Sequence, residues 1–240
     1  MKERMDKRVL IMPSMCDSTA RLSYPGTFSL FMDVAAEHAE SIGVGMKPML
    51  EKSLFWLTVK TKVRFHHRPN MMECVTVSTW PGIPERMRCE RYYTIASDSG
   101  LLAEGKTEWA IMDTSSGKLK SVSGIYPEAL QLTNDTVCDG PFARISEDFV
   151  NCDELGTYAV RPSDIDLGGH MNNAQYVRAL FDAFSCEKLK KLPIGEVDVV
   201  FRVPCFEGDV LSIRCRHTDD GMEMGLIRGD GRAAIVARIV

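Results

Sequence analysis

The chain has 240 residues, of which 45% are hydrophobic and 26% charged, with only 18 glycines and 11 prolines. That composition can bury a core and excludes a disordered or collagen-like polymer. Lys and Arg number 29 against 33 Asp and Glu, for a formal net charge of −4, and a mild acidic excess spread along the chain excludes the basic stripe of a nucleic-acid binder.

A first strand is expected from Lys7 to Met15. A helix follows, with Ser23 as N-cap, Pro25 in the first turn and Gly43 closing the far end. Phe28, Phe31, Met32, Ala35, Ala39 and Ile42 recur on one face of it, which requires a sheet for cover. Strands are expected at Phe55 to Phe65, Cys74 to Trp80, Arg88 to Ala96 and Leu101 to Met112, with Asp98-Ser99-Gly100 turning the last hairpin. One helix followed by a meander of antiparallel strands is an α+β module.

Beyond Gly117 the sequence loses periodicity and runs polar and proline-punctuated to about Gly156. The order then restarts: a strand from Tyr158 to Pro162, a polar turn and a helix from Asn173 to Leu189. Strands at Glu196 to Val203, Val210 to His217, Met222 to Arg228 and Ala233 to Val240 complete it. A shift of 149 residues lays Asp17, Arg21, Leu22, Ser23, Phe28 and Asp33 on Asp166, His170, Met171, Asn172, Val177 and Asp182. The expected organisation is an N-terminal module over 1–130, a linker over 131–156 and a C-terminal module over 157–240. Pairing the two modules edge to edge would form one continuous sheet and dispose of exposed edges.

No apolar window reaches 18 residues and the N-terminal pattern is not a signal peptide, so a cytoplasmic protein without a membrane span is expected. The eight cysteines form no CxxC and lack closely spaced histidines, so no metal site or disulfide framework is expected.

Reactive side chains concentrate in one segment, from Asp164 to Tyr176. Asp166 and His170 stand four apart across Gly168-Gly169, close enough to share a small volume, and a helix N-terminus lies just beyond. A carboxylate that activates water or attacks directly, an imidazole that orients substrate or moves a proton, and N–H groups that hold an oxyanion would together suit hydrolysis of an activated acyl group. Asp, Asn and Gly before a helix also have a plain reading as capping and turn residues.

The run DxxGHxNNxxY, filled by Asp166, Gly169, His170, Asn172, Asn173 and Tyr176, resembles the active-site signature of hotdog-fold thioesterases. The wider order resembles the acyl-acyl-carrier-protein thioesterases, which carry two hotdog modules in tandem. Further likeness lies in residues 37–43, in residues 56–63 from Trp56 to Val63, and in Trp109 to Asp113. The resemblance implies an α+β double hotdog that hydrolyses acyl-carrier-protein thioesters to free fatty acid without a cofactor. It implies catalysis by Asp166 and His170 in the C-terminal module; the N-terminal copy has Asp17 and Arg21 there and lacks the imidazole, so it is expected to bind the acyl chain. Cys205 matches a cysteine assigned as nucleophile, although a free cysteine is commonly a small buried hydrophobe. Gly168 and Pro204 depart from the plant members, which have Asn and Glu there, so Asn172 is the candidate to position water or carbonyl.

Gly169 and Asn173 are further candidates for substrate contact, and Trp56, Phe28, Phe31 and Met32 for an acyl tunnel. Arg64, His66, Arg68, Arg86, Arg88 and Arg91 are the basic residues offered for docking an acidic carrier protein. A homodimer is compatible with this reading. Rival readings are an acyl-coenzyme A thioesterase, a non-catalytic acyl-thioester binding module and a hotdog dehydratase.

Overall fold

The computed structural model describes residues 3–240. Strand β1 (Met5–Leu10) is followed by a 3₁₀ turn at Pro13–Met15, helix α1 (Tyr24–Ser41) and short helix α2 (Met46–Glu51). Strands β2 (Leu54–Phe65), β3 (Cys74–Pro81), β4 (Cys89–Ser97), β5 (Gly100–Asp113) and the two-residue β6 (Leu119–Lys120) complete the first half. The second half comprises β7 (Asp153–Ala159), a 3₁₀ turn at Pro162–Asp164, α3 (Asn173–Phe181), α4 (Cys186–Lys191), β8 (Glu196–Phe201), β9 (Val210–Thr218), β10 (Gly221–Ile227) and β11 (Ala233–Ile239).

Ser23 caps α1, its hydroxyl accepting from the Gly26 N–H at 3.0 Å, and Asn172 caps α3 in the same way. The shift of 149 residues thus lays cap on cap. It also lays one 3₁₀ turn on the other, and the Cys16–Leu22 bridge on Ile165–Met171. The strand order is β1-β3-β4-β5-β2-β8-β11-β10-β9-β7, with β6 on the flank of β5. The first half therefore reads 1-3-4-5-2 and the second is its mirror in order, joined where β2 runs antiparallel to β8 from Lys60–Val200 to Arg64–Glu196. Helices α1 and α3 lie side by side on one face, and Phe28, Phe31, Val34, Tyr176, Val177 and Leu180 belong to one continuous core. The fold is a tandem hotdog. The central pairing removes the two inner edges; β1 and β7 remain as sheet edges and carry Asp6, Lys7, Arg8, Asp153 and Glu154, charges that discourage further pairing.

Several boundaries differ from those expected. Strand β1 stops at Leu10 and β7 at Ala159, because Pro13 and Pro162 lack an N–H and open 3₁₀ turns instead. The helix expected to reach Leu189 breaks after Phe181, and Ser185 caps a separate α4 by accepting from the Lys188 N–H at 3.2 Å. The segment expected as a linker is a packed strap: Cys138, Ile145 and Phe149 are buried, and its last residues already belong to β7. Part of the strap closes over ion pairs at the module seam. Lys62 lies 3.3 Å from both Glu196 and Asp198, and its ammonium donates to the Pro141 carbonyl at 2.7 Å. The Ala143 N–H donates to Asp198 at 3.1 Å, so the buried charges are paired and bonded, as burial demands. No helix among the described residues is long and apolar enough to cross a membrane.

Candidate active site

The loop after β7 is held rigidly at both ends. Buried Asp164 accepts from the Tyr158 hydroxyl at 3.0 Å and the Arg161 N–H at 2.8 Å. The Asp166 N–H donates to the His170 carbonyl at 2.9 Å, which closes the loop onto itself. Inside it the Gly168 N–H donates to Asp166 Oδ1 at 2.7 Å, and Gly169 takes a left-handed φ of +74°. The His170 ring lies 5.1 Å from the ring of Phe206. Asn172 Oδ1 accepts from the Ala174 N–H at 2.9 Å. Asn173 Nδ2 donates to Thr58 Oγ1 at 2.7 Å, a bond from the start of α3 to β2 of the other module.

The two copies of this loop share a backbone and differ in what they do with their aspartate. In the first copy Ala20 occupies the left-handed position of Gly169, at φ +55°. The Thr19 N–H and hydroxyl both donate to Asp17 Oδ1, at 2.8 and 2.5 Å, and Arg68 pairs with Asp17 Oδ2. Burial pushes the Asp17 carboxyl up, but the bonds from Thr19 and Arg68 outweigh it and hold it below its ordinary value. In the second copy the position of Thr19 is Gly168, which supplies the N–H bond without the hydroxyl. The chain reaches the loop through Cys205, whose carbonyl accepts from the Met171 N–H as Pro69 does from Leu22. The residue before it is therefore Pro204 where the first copy has Arg68. Among the described residues nothing bonds Asp166 Oδ2. The two departures noted in the sequence, Gly168 and Pro204, are the ones that leave this carboxylate open. A Cβ on Gly168 would come within 3.0 Å of Asp166 Oδ1, 3.3 Å of Phe55 and 3.4 Å of His170 Nδ1, so a side chain there would press on the carboxylate and the imidazole, which would have to shift by a few tenths of an ångström.

Beside the loop opens a cavity of about 240 Å³. Its wall is mostly N-terminal module: Met32, Ala35, Ala36 and Ala39 of α1, Met46 and Met49 of α2, Trp56 of β2, Trp109 of β5 and Tyr126 of the loop after β6. Small residues on one face of α1 leave the space, and Trp56 is fixed by donation from its Nε1 to the Val44 carbonyl at 2.8 Å. Asp166, Asn172 and Asn173 reach the same cavity from the other module. A chain-shaped apolar ligand would thus present its head to an open carboxylate, a helix N-terminus and an anchored amide, a set of groups suited to acyl transfer to water.

Of the tunnel residues expected from the sequence, Met32 and Trp56 line the cavity. Phe28 and Phe31 do not; they are buried in the core, where Phe31 stacks on Tyr93 with centroids 4.7 Å apart. Cys205 is fully buried. Its N–H donates to the Tyr176 hydroxyl at 2.7 Å, and burial pushes its thiol up, against bonding from Tyr176. A thiol held neutral in the core is a poor nucleophile.

The expected docking residues are dispersed. Arg68 is engaged by Asp17 and lies over the Tyr24 ring at 4.4 Å. Arg64 bridges Glu104 and Glu196 at 2.8 and 2.9 Å, and Arg88 pairs with Glu108. His66 stands 3.8 Å from Glu104. Arg91 is buried and lines the cavity. Arg86 alone of the six is exposed without an acidic partner among the described residues. Sequence reasoning missed Thr58 as the anchor of Asn173, helix α2 and Tyr126 as cavity wall, and Phe206 as the support of His170. Thr58 lay inside a stretch already singled out, but its partner is 115 residues away. No cluster of three or more His, Cys, Asp or Glu able to hold a metal ion occurs among the described residues.

The acyl-ACP thioesterase N-terminal domain family matches residues 2–129, and the acyl-ACP thioesterase C-terminal domain family matches residues 150–233. The chain is 23% identical over 227 residues to an oleoyl-acyl carrier protein thioesterase, chloroplastic, of Coriandrum sativum, covering 86% of this chain and 61% of the relative. It is 22% identical to a chloroplastic palmitoyl-acyl carrier protein thioesterase of Gossypium hirsutum, covering 85% and 55%. The chain thus spans little more than half the length of these curated relatives. Among solved structures, an acyl-ACP thioesterase from Bacteroides thetaiotaomicron superposes with a TM-score of 0.88 at 17% identity, covering 99% of this chain and 97% of that one. A 12:0-ACP thioesterase from Umbellularia californica gives 0.82 at 17%, covering 98% and 94%.

Proposed function

The chain belongs to the acyl-ACP thioesterase family, and on that premise we propose that it hydrolyses acyl-acyl-carrier-protein thioesters to free fatty acid and carrier thiol. The observation that carries the reading is the open Asp166 carboxylate at one end of an apolar cavity built by the other module.

The acyl chain lies in the cavity between α1 and the sheet, with the thioester carbon at the loop. Water, oriented by Asp166, adds its oxygen to that carbon while its proton passes to the carboxylate. The negative charge on the former carbonyl oxygen is met by the N-terminus of α3 and the Asn173 amide, which Thr58 holds in place. Collapse of the intermediate breaks the C–S bond, and the proton returns through Asp166 or His170 to the departing sulfur. Acid and thiol result, with no cofactor consumed. Phe206 supports the His170 ring, and Asn172 spends its side-chain oxygen on the helix cap, which leaves its amide N–H₂ for the substrate. The first copy binds and does not catalyse, because Thr19 and Arg68 occupy its aspartate.

Thiol release from acyl-carrier-protein and acyl-coenzyme A substrates of several lengths tests this reading. Hydrolysis with preference for the carrier protein is expected, and Asp166→Asn should lower kcat by roughly 10²- to 10⁴-fold with little change in thermal stability. Near wild-type turnover in that variant would remove Asp166 from the mechanism, and preference for coenzyme A would transfer the protein to the small-thioester branch.

A further inference from the structure

The cavity that receives the acyl chain does not end in hydrocarbon. Arg91, on β4, is 5% exposed and contributes to the cavity wall. Its Nη1 bonds His38 Nδ1 at 3.0 Å and donates to Thr79 Oγ1 at 3.2 Å. Among the described residues no carboxylate pairs with it, and its Nε and Nη2 have no side-chain partner. Nearby, the Tyr126 hydroxyl also lines the cavity, and among the described residues its one hydrogen-bond partner is the Cys89 sulfur, 3.6 Å away. That is a weak bond for a hydroxyl. Strand order places these groups away from the reacting end. Asn173 is bonded to Thr58 on β2, and β4 lies two strands from β2, about 10 Å at the usual interstrand spacing.

A buried guanidinium with donors to spare is costly when it faces hydrocarbon, because its water is gone and nothing replaces it. A methyl-ended chain filling the cavity would impose that cost. A chain whose far end bears an oxygen would remove it, since hydroxyl and carboxylate oxygens accept from guanidinium, and a carboxylate would also supply the missing counter-charge. We propose that the cavity selects acyl chains oxygenated at the end remote from the thioester, with Arg91 as the residue that reads the oxygen and Tyr126 as its helper. The proposal rests on the hydrolase reading for its substrate, and it specifies which acyl groups that reaction takes.

Pantetheine thioesters of one chain length, ending in methyl, hydroxyl or carboxylate, separate the possibilities. The full chain should hydrolyse the oxygenated members with at least about tenfold higher kcat/KM than the methyl member, the size of one charge-assisted hydrogen bond. Arg91→Met, similar in length and neutral, should reverse that order, and Arg91→Lys should keep part of the preference. A wild-type preference for the methyl chain, or an unchanged ratio in Arg91→Met, overturns the proposal while leaving the hydrolase intact. Should no thioester be hydrolysed, the hydrolase reading fails. Selectivity is then read by binding alone, because Trp56 and Trp109 line the cavity and their fluorescence reports occupancy. Tighter binding of a dicarboxylic than of a monocarboxylic acid of equal length, lost in Arg91→Met, sustains the proposal, and equal binding refutes it. If Arg91→Met fails to fold, the same comparison is made with Arg91→Lys, for which a preference that is lowered yet still favours the oxygenated chains supports the proposal, and an unchanged ratio or a ratio of one overturns it.

Discussion

At the scale of single residues, the contrast between Asp17 and Asp166 shows how one backbone serves two purposes. Both aspartates accept an N–H from two residues on, at 2.8 and 2.7 Å, so the turn itself is structural. What differs is the remainder of each carboxylate, closed by Thr19 and Arg68 in one case and left open beside Gly168 and Pro204 in the other. Gly168→Thr should therefore act like a partial copy of the first loop. Its hydroxyl would donate to Asp166 and weaken it as a base, and its Cβ would crowd the carboxylate. A fall in kcat of about ten- to a hundredfold is expected, with KM for a short pantetheine thioester little changed; steady-state kinetics would show whether the loss sits in kcat. Cys205 makes the opposite case. Burial raises its thiol, so at neutral pH it stays protonated and gains thiolate only as pH climbs beyond the ordinary cysteine range. Cys205→Ala should retain most of its turnover and lose about 1 kcal/mol of stability, read as a shift in urea midpoint. Trapping of an acyl group on Cys205 would reverse that assignment.

At the scale of elements, helix α1 does two jobs with two faces. Phe28, Phe31 and Val34 are buried in the core, while Ala35, Ala36 and Ala39 leave the cavity beside them. The sequence announced the helix plainly, through its Ser23 cap and apolar spacing, and Phe28, Phe31 and Met32 on the stripe looked alike as tunnel candidates. Periodicity says which residues turn inward. It cannot say which inward residues meet protein and which meet empty space, because that depends on side-chain volume across the sheet. Met32, which lines the cavity, and Phe28 and Phe31, which do not, were therefore offered together for the tunnel. Arg91 failed for a related reason: a basic residue in a charged stretch reads as surface, yet β4 places it in register with Thr107 on the covered face. Ala39→Leu would add three carbons to the cavity wall. The preferred acyl chain should shorten, with kcat/KM for the longest accepted chain reduced about tenfold or more. A profile across chain lengths that keeps its maximum would show that the chain runs elsewhere.

At the scale of the whole molecule, the doubled order of elements was legible because an offset of 149 residues carries the caps, the 3₁₀ turns and the loop bridges of one half onto the other. That the two modules pair edge to edge followed from the edge-strand argument, though not that β2 and β8 are the strands that meet, whereas the strap could not be foreseen. Its buried residues are too sparse for a period, and its backbone carbonyls serve lysines distant in sequence, such as Lys62 and Lys106. Those networks also determine which charges remain for a partner. Arg64, Arg68 and Arg88 are neutralised by their own acids and Arg91 is inside, so under the proposed function an acidic carrier protein would meet Arg86, the cation of that group without an acidic partner among the described residues. Steering between exposed charges weakens as the screening length falls from about 10 Å at 0.1 M salt to about 3 Å at 1 M. Arg86→Glu should consequently raise KM for the carrier-protein substrate several-fold at low salt and flatten its salt dependence, while hydrolysis of a pantetheine thioester, which lacks the protein surface, stays as it was. Arg64→Glu should differ in kind: it would set a third acid beside Glu104 and Glu196 and show its cost in stability before affinity. Measured side by side, a carrier-protein KM that ignores Arg86 and salt alike would mean that docking uses another face of the molecule.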